Sequence, residues 1–175
     1  MFTMRKILLT TILLVFIILP PSFLEATTTQ NPVYVLTVDG PIVPVVADYI
    51  ENGFKAAERD GASCIVIELS TPGGLYTTTQ KIVTQILNSP IPVVVYVSPA
   101  GAWAGSAGTF ITLSANIAAM APGSRIGAAH PVSIEDDSAM SEIQRQKITH
   151  DAAAWIRSIA ENRGRDPSHG ESKSI

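Results

Sequence analysis

Three short apolar runs set the limits on this fold: Val33-Tyr34-Val35-Leu36-Thr37-Val38, Cys64-Ile65-Val66-Ile67-Glu68-Leu69 and Pro92-Val93-Val94-Val95-Tyr96-Val97. Each is rich in β-branched residues, too short for a buried helix, and apolar on both alternating positions. That pattern is expected of parallel strands covered on both faces. Segments of helical period separate them. From Val43 to Arg59, the side chains of Val46, Ile50, Phe54 and Ala57 fall on one stripe, and Asp60-Gly61 closes the segment. From Leu75 to Leu87, Ile82, Val83, Ile86 and Leu87 do the same, and Asn88-Ser89-Pro90 ends it. Parallel strands need crossovers of about a dozen residues or more, and these helices supply them. The chain therefore reads as an α/β domain with a parallel sheet.

Beyond the third strand, Gly101-Ala102-Trp103-Ala104-Gly105-Ser106-Ala107-Gly108 is rich in small residues and leads into a helix over 109–113. Ile117 to Met120 reads as a short strand and Ile126 to Ala129 as an extended piece. Residues 134–141 are acidic and polar, as in a surface loop. A long helix is expected from Glu142 to Asn162, with Ile148, Ala152, Trp155 and Ile159 on its apolar face and Arg163-Gly164-Arg165 at its end. No repeat of fixed period is visible.

The N-terminus stands apart from this domain. Arg5 and Lys6 precede an apolar run from Ile7 to Leu19, which Pro20 and Pro21 break. That layout matches an export signal or an uncleaved anchor over residues 1–26, and the run is shorter than the roughly 20 residues of a membrane span. Residues 27–32 form a polar linker, 33–165 the domain and 166–175 a polar tail. The expected location is the periplasmic or extracytoplasmic face of the membrane. A net charge of −3 with no basic run gives no footprint for nucleic acid. The single cysteine, Cys64, excludes an internal disulfide and a Cys/His metal cluster, and reads as a small buried hydrophobe. No cofactor is called for.

Ser106 is the first candidate for chemistry. It sits where a helix begins, among alanines and glycines that let a substrate backbone approach, and a helix start offers unpaired N–H groups to a developing oxyanion. The competing role is that of a structural N-cap. Thr71-Pro72-Gly73-Gly74 follows a buried strand, at the strand end where α/β sheets bind ligands. A serine nucleophile needs a base, and His130, Lys147 and His150 are the candidates after it. Lys147 lies at the flank of the long helix's apolar face, where withdrawal from water makes an amine give up its proton more readily. Its competing role is a surface lysine paired with Asp151. His130 precedes Pro131 at the end of an extended piece, and His150 reads as helix surface.

Taken together, Thr71-Pro72-Gly73-Gly74, Gly105-Ser106-Ala107-Gly108-Thr109, the stretch from Ala121-Pro122-Gly123 to Ala129-His130-Pro131, and Lys147-Ile148 resemble the membrane-bound Clp-class serine peptidases, the peptidase half of nodulation-efficiency-D (NfeD) proteins. The resemblance spans roughly residues 33–165. It implies a Clp/crotonase-like spiral of ββα units and a Ser–Lys dyad with Ser106 as nucleophile and Lys147 as base. It also implies an oxyanion hole from the N–H of Ala107 with that of Gly73 or Gly74. His130 is the rival base, since related soluble Clp peptidases use a histidine at similar spacing. Substrates would be hydrophobic segments of stomatin-like membrane proteins, and the assembly a homodimer or larger homo-oligomer. The family pattern continues past this chain's end, so a truncated, inactive remnant or a scaffold for stomatin-like partners is the alternative. Coenzyme-A-binding crotonases share the fold, but the export signal and Ser106 argue against them.

Overall fold

Residues 30–129 and 141–166 are described by a computed structural model. The elements run β1 (Val33–Asp39), α1 (Pro44–Arg59), β2 (Cys64–Ser70), α2 (Tyr76–Leu87), β3 (Val93–Val97), β4 (Trp103–Gly105), α3 (Ala107–Ser114), β5 (Ile117–Met120), β6 (Arg125–Gly127) and α4 (Glu142–Asn162). The main sheet is parallel, in the order β1-β2-β3-β5, and β4 and β6 form a second, two-stranded parallel sheet. Isolated parallel bridges, Ile42 with Gly74 and Thr71 with Ala104, extend that second layer. Each strand of the main sheet is thus followed by a short extended piece and then a helix, which is the expected spiral of ββα units. The expected export segment at 1–26 and most of the acidic loop and polar tail lie outside the described residues.

One face of the main sheet carries the core. Leu36, Val38, Ile65, Ile67, Leu69, Val93, Val95 and Val97 point into it, and α1 answers with Ala47, Ile50, Phe54 and Ala57. Ile82, Val83 and Ile86 of α2 close over the same side, and α3 is buried along its whole length. From α4 come Ala152, Ile156 and Ile159.

The opposite face departs from the sequence expectation. Burial along β1, β2 and β3 alternates strictly instead of being continuous. A row of β-branched residues, Val35-Val66-Val94-Ile117, runs in register across that second face. Its outer members remain more than half exposed, Val35 at 55% and Ile117 at 59%. The apolar sequence was therefore not a sign of helices on both sides among the described residues. Two smaller differences accompany it. Cys64, read as buried, is half-exposed on the same face. Ile148, read as core-facing, is 40% exposed, because α4 is seated only from Ala152 onward.

Candidate active site

Ser106 stands between β4 and α3, where the chain turns from strand to helix. Its backbone has φ +48 and ψ −109, a conformation that residues with a Cβ rarely adopt. An N-cap serine has extended φ/ψ and bonds its hydroxyl to the helix start; Ser106 does neither. Its N–H instead donates to Gly127 O at 2.9 Å. The Thr109 hydroxyl, one turn into α3, donates to the same oxygen at 3.0 Å and lies 3.2 Å from Ala104 O. The strained serine is thereby fixed from β6 and from its own helix, with its side chain half-exposed. No hydrogen-bond partner for Ser106 Oγ occurs among the described residues.

The glycine loop faces this serine. Gly73 has φ +122, and a Cβ placed on it would lie 2.7 Å from Ser106 Cβ and 3.2 Å from Ser106 Oγ. A side chain at 73 would therefore occupy the space next to the Ser106 side chain. At Gly74 a Cβ would meet Ile42 O at 2.1 Å, so the loop is held flush against the backbone of Ile42. The loop also keeps its shape through Thr71, 2% exposed, whose Oγ1 accepts the Gly73 N–H at 3.0 Å.

This arrangement separates the two glycine N–H groups that the sequence left as alternatives. Gly73 N–H is engaged by Thr71. In the parallel bridge to Ile42, the bonds Ile42 N–H to Gly73 O (2.8 Å) and Leu75 N–H to Ile42 O (2.9 Å) take the groups flanking Gly74. That leaves the N–H of Gly74 pointing the other way. Ala107, the first residue of α3, has no intrahelical acceptor for its N–H. The N–H groups of Gly74 and Ala107 are unbonded among the described residues.

The candidate bases are placed less closely. Lys147 lies on the first half of α4, exposed, and no hydrogen bond joins it to Ser106. It forms no ion pair with Asp151 among the described residues. Asp151 instead accepts a hydrogen bond from the Tyr76 hydroxyl at 3.0 Å. Burial, with the Asp151 carboxylate beside it, pushes the Tyr76 phenol up to about 12. Trp155 stacks on Phe110 of α3 at 4.5 Å and meets Tyr76 edge-on at 5.3 Å. His150 is exposed on α4, as expected. His130 lies outside the described residues. The sequence offered Thr71 and Thr109 only as members of their motifs and Asp151 only as an ion-pair partner of Lys147, and it gave no sign of Tyr76. The hydroxyl residues within a glycine and alanine run were the available signal for the first two.

Four ββα units around a parallel sheet, with a strained serine at a helix start, define a Clp-like fold. A ClpP1 variant from Listeria monocytogenes superposes with a TM-score of 0.60 over 77% of this chain and 75% of its own, at 22% identity. Residues 32–173 match the family model for the NfeD1b N-terminal domain, and the chain belongs to that family. It is 39% identical over 168 residues to the membrane-bound protease PH1510 of Pyrococcus horikoshii. The match takes in 96% of this chain and 37% of that protein, so the chain spans little more than a third of the relative's length. Two solved structures of a protein described as the 1510-N membrane-bound stomatin-specific protease also match, each at TM-score 0.73 and 38% identity. One is a serine-to-alanine variant, covering 80% of this chain and 68% of its own. The other is a lysine-to-alanine variant in complex with a substrate peptide, covering 81% and 64%.

Proposed function

We propose that this chain is the catalytic domain of a membrane-associated, extracytoplasmic serine endopeptidase that cleaves hydrophobic segments of stomatin-like proteins. The observation that carries this reading is Ser106: a strained, half-exposed serine whose hydroxyl caps nothing and faces a glycine loop. The relative described as a stomatin-specific protease supports it. So does a spacing: the serine and lysine replaced in the two variants of that relative are separated by the same number of residues as Ser106 and Lys147.

In this reading Lys147, as a neutral amine, takes the Ser106 proton. Ser106 Oγ attacks the scissile carbonyl, and the N–H groups of Ala107 and Gly74 receive the oxyanion. Gly73 N–H joins them only if it leaves Thr71. The lysine proton passes to the leaving amine as the C–N bond breaks. Water, losing a proton to Lys147, then attacks the acyl carbon, and Lys147 returns that proton to Ser106 Oγ as the acyl group leaves it. Every step uses groups of this chain and of water.

The test is cleavage of a hydrophobic peptide from a stomatin-like protein by the full chain. Ser106→Ala and Lys147→Ala are each expected to abolish turnover, while His130→Ala retains it. Loss of activity in His130→Ala with full activity in Lys147→Ala would overturn the dyad. Binding of the stomatin-like partner with no cleavage by the unaltered chain would indicate a scaffold instead.

A further inference from the structure

Lys147 makes no contact with Ser106 that fixes its place, yet a base works only within hydrogen-bond reach of its proton. Its position must be set by whatever docks its stretch of α4. No described side chain of α4 before Ala152 is buried, and Ile143 and Ile148 are 66% and 40% exposed. Within that exposed half, one tie to the rest of the fold stands out. Asp151, on the same helix face as Lys147 and one turn later, accepts the Tyr76 hydroxyl at 3.0 Å.

Tyr76 is the first residue of α2, directly after Leu75, whose N–H bonds Ile42 O as part of the glycine-loop bridge. The Tyr76 ring is itself held edge-on against Trp155, which stacks on Phe110 of the helix that Ser106 begins. The tie therefore runs from the turn that bears Lys147 to the loop that faces Ser106.

We infer that Tyr76 and Asp151 are positioning residues, whose hydrogen bond sets the register of the Lys147 turn against the glycine loop and Ser106. The inference rests on the Ser106–Lys147 reading. Asp151 acts here as an acceptor, so an amide in its place serves the same purpose.

The experiment measures kcat and KM of the full chain on the hydrophobic peptide. Tyr76→Phe keeps the ring packing and removes only the hydroxyl. It is expected to lower kcat by about 10- to 100-fold, as loss of catalytic alignment does, with KM within about twofold. Asp151→Ala, at an exposed position, is expected to match it, and the double variant to be no slower than either single one. Asp151→Asn, which retains the acceptor, is expected to restore most of the rate. A Tyr76→Phe enzyme with unchanged kcat, or one whose only change is a lower melting temperature, overturns the inference. So does Asp151→Asn as slow as Asp151→Ala. If Lys147→Ala is inactive while Tyr76→Phe is unaffected, only this inference falls. If Lys147→Ala is fully active, the dyad falls and takes this inference with it.

Discussion

Ser106 pays about 1–3 kcal/mol for its backbone conformation, and the neighbours that hold it there are identifiable. Gly127 O receives both the Ser106 N–H and the Thr109 hydroxyl. Thr109→Val keeps the shape of that side chain and removes its donor from a buried site, Thr109 being 1% exposed. A loss of about 1–3 kcal/mol is expected in denaturant unfolding, together with a fall in kcat as the serine relaxes. Gly73→Ala acts from the other side. The added methyl falls 2.7 Å from Ser106 Cβ, at a backbone angle that alanine resists. A rate at least about 100-fold lower is expected, with a far-UV circular dichroism spectrum like that of the unaltered chain. The sequence displayed Ser106 and both glycines plainly. It concealed which glycine N–H is available, because the choice depends on the Thr71 hydroxyl, a contact that no spacing rule encodes.

At the scale of elements, helices were read more easily than short strands. The bounds of α4 match the expected Glu142 to Asn162, since Ser141 and Gln144 form a reciprocal capping box at its start. Of the second layer, only the piece at β6 was read, as the extended run from Ile126, while β4 and the isolated bridges were not. β4 and its partner β6 have three residues each and the other pieces are single bridges, too few for period-two alternation to register. For the same reason the ββα repeat was legible only through the family resemblance and not in the periodicity. The docking of α4 on α2 offers an alkaline test. The Tyr76 phenol ordinarily titrates near 10.0 and is held at about 12 in the fold. The folded state keeps its proton where the unfolded chain has lost it, so the stabilisation is complete below pH 10 and disappears as pH rises through 12. Unfolding titrations of the unaltered chain are expected to show an additional loss of stability across that window, and Tyr76→Phe to lack it. Identical slopes for the two proteins would contradict this docking.

At the scale of the molecule, the far end of α4 is the firm one. Arg163 donates to Ser114 O at 2.6 Å and to Ile86 O at 3.2 Å, and Arg165 to Leu113 O at 2.6 Å. These carbonyls lie in the last turns of α3 and α2, where helices leave acceptors unpaired and attract cations. Arg163→Met is expected to destabilise the domain by about 1–3 kcal/mol, seen as a melting temperature several degrees lower. Arg163→Lys recovers only part of it, because an ammonium lacks the planar fork. The one-sided core makes a second contrast. Ile67→Ala, at 0% exposure, is expected to cost about 2–5 kcal/mol, while Val35→Thr on the open face costs less than about 0.5 kcal/mol. Comparable losses would mean that the second face is covered in solution. Which face holds the core was not legible in the sequence, because the strands offer apolar residues to both.

Seated from Ala152 to the arginines and unsupported by packing before it, α4 works as a lever with its fulcrum near Ala152. Lys147 projects about 7.5 Å beyond that point, at 1.5 Å of rise per residue. A tilt of about 10° at the fulcrum sweeps the amine through roughly 1.3 Å, and a misplacement of about 1 Å is enough to slow a reaction on the order of 100-fold. Anything that presses on the exposed arm, through Ile143 or Ile148, therefore has mechanical advantage over the Ser106–Lys147 geometry of the proposed mechanism. In the proposed peptidase the rate would then answer by degrees to a push applied at a distance, with Ser106 and the N–H groups of Ala107 and Gly74 left undisturbed.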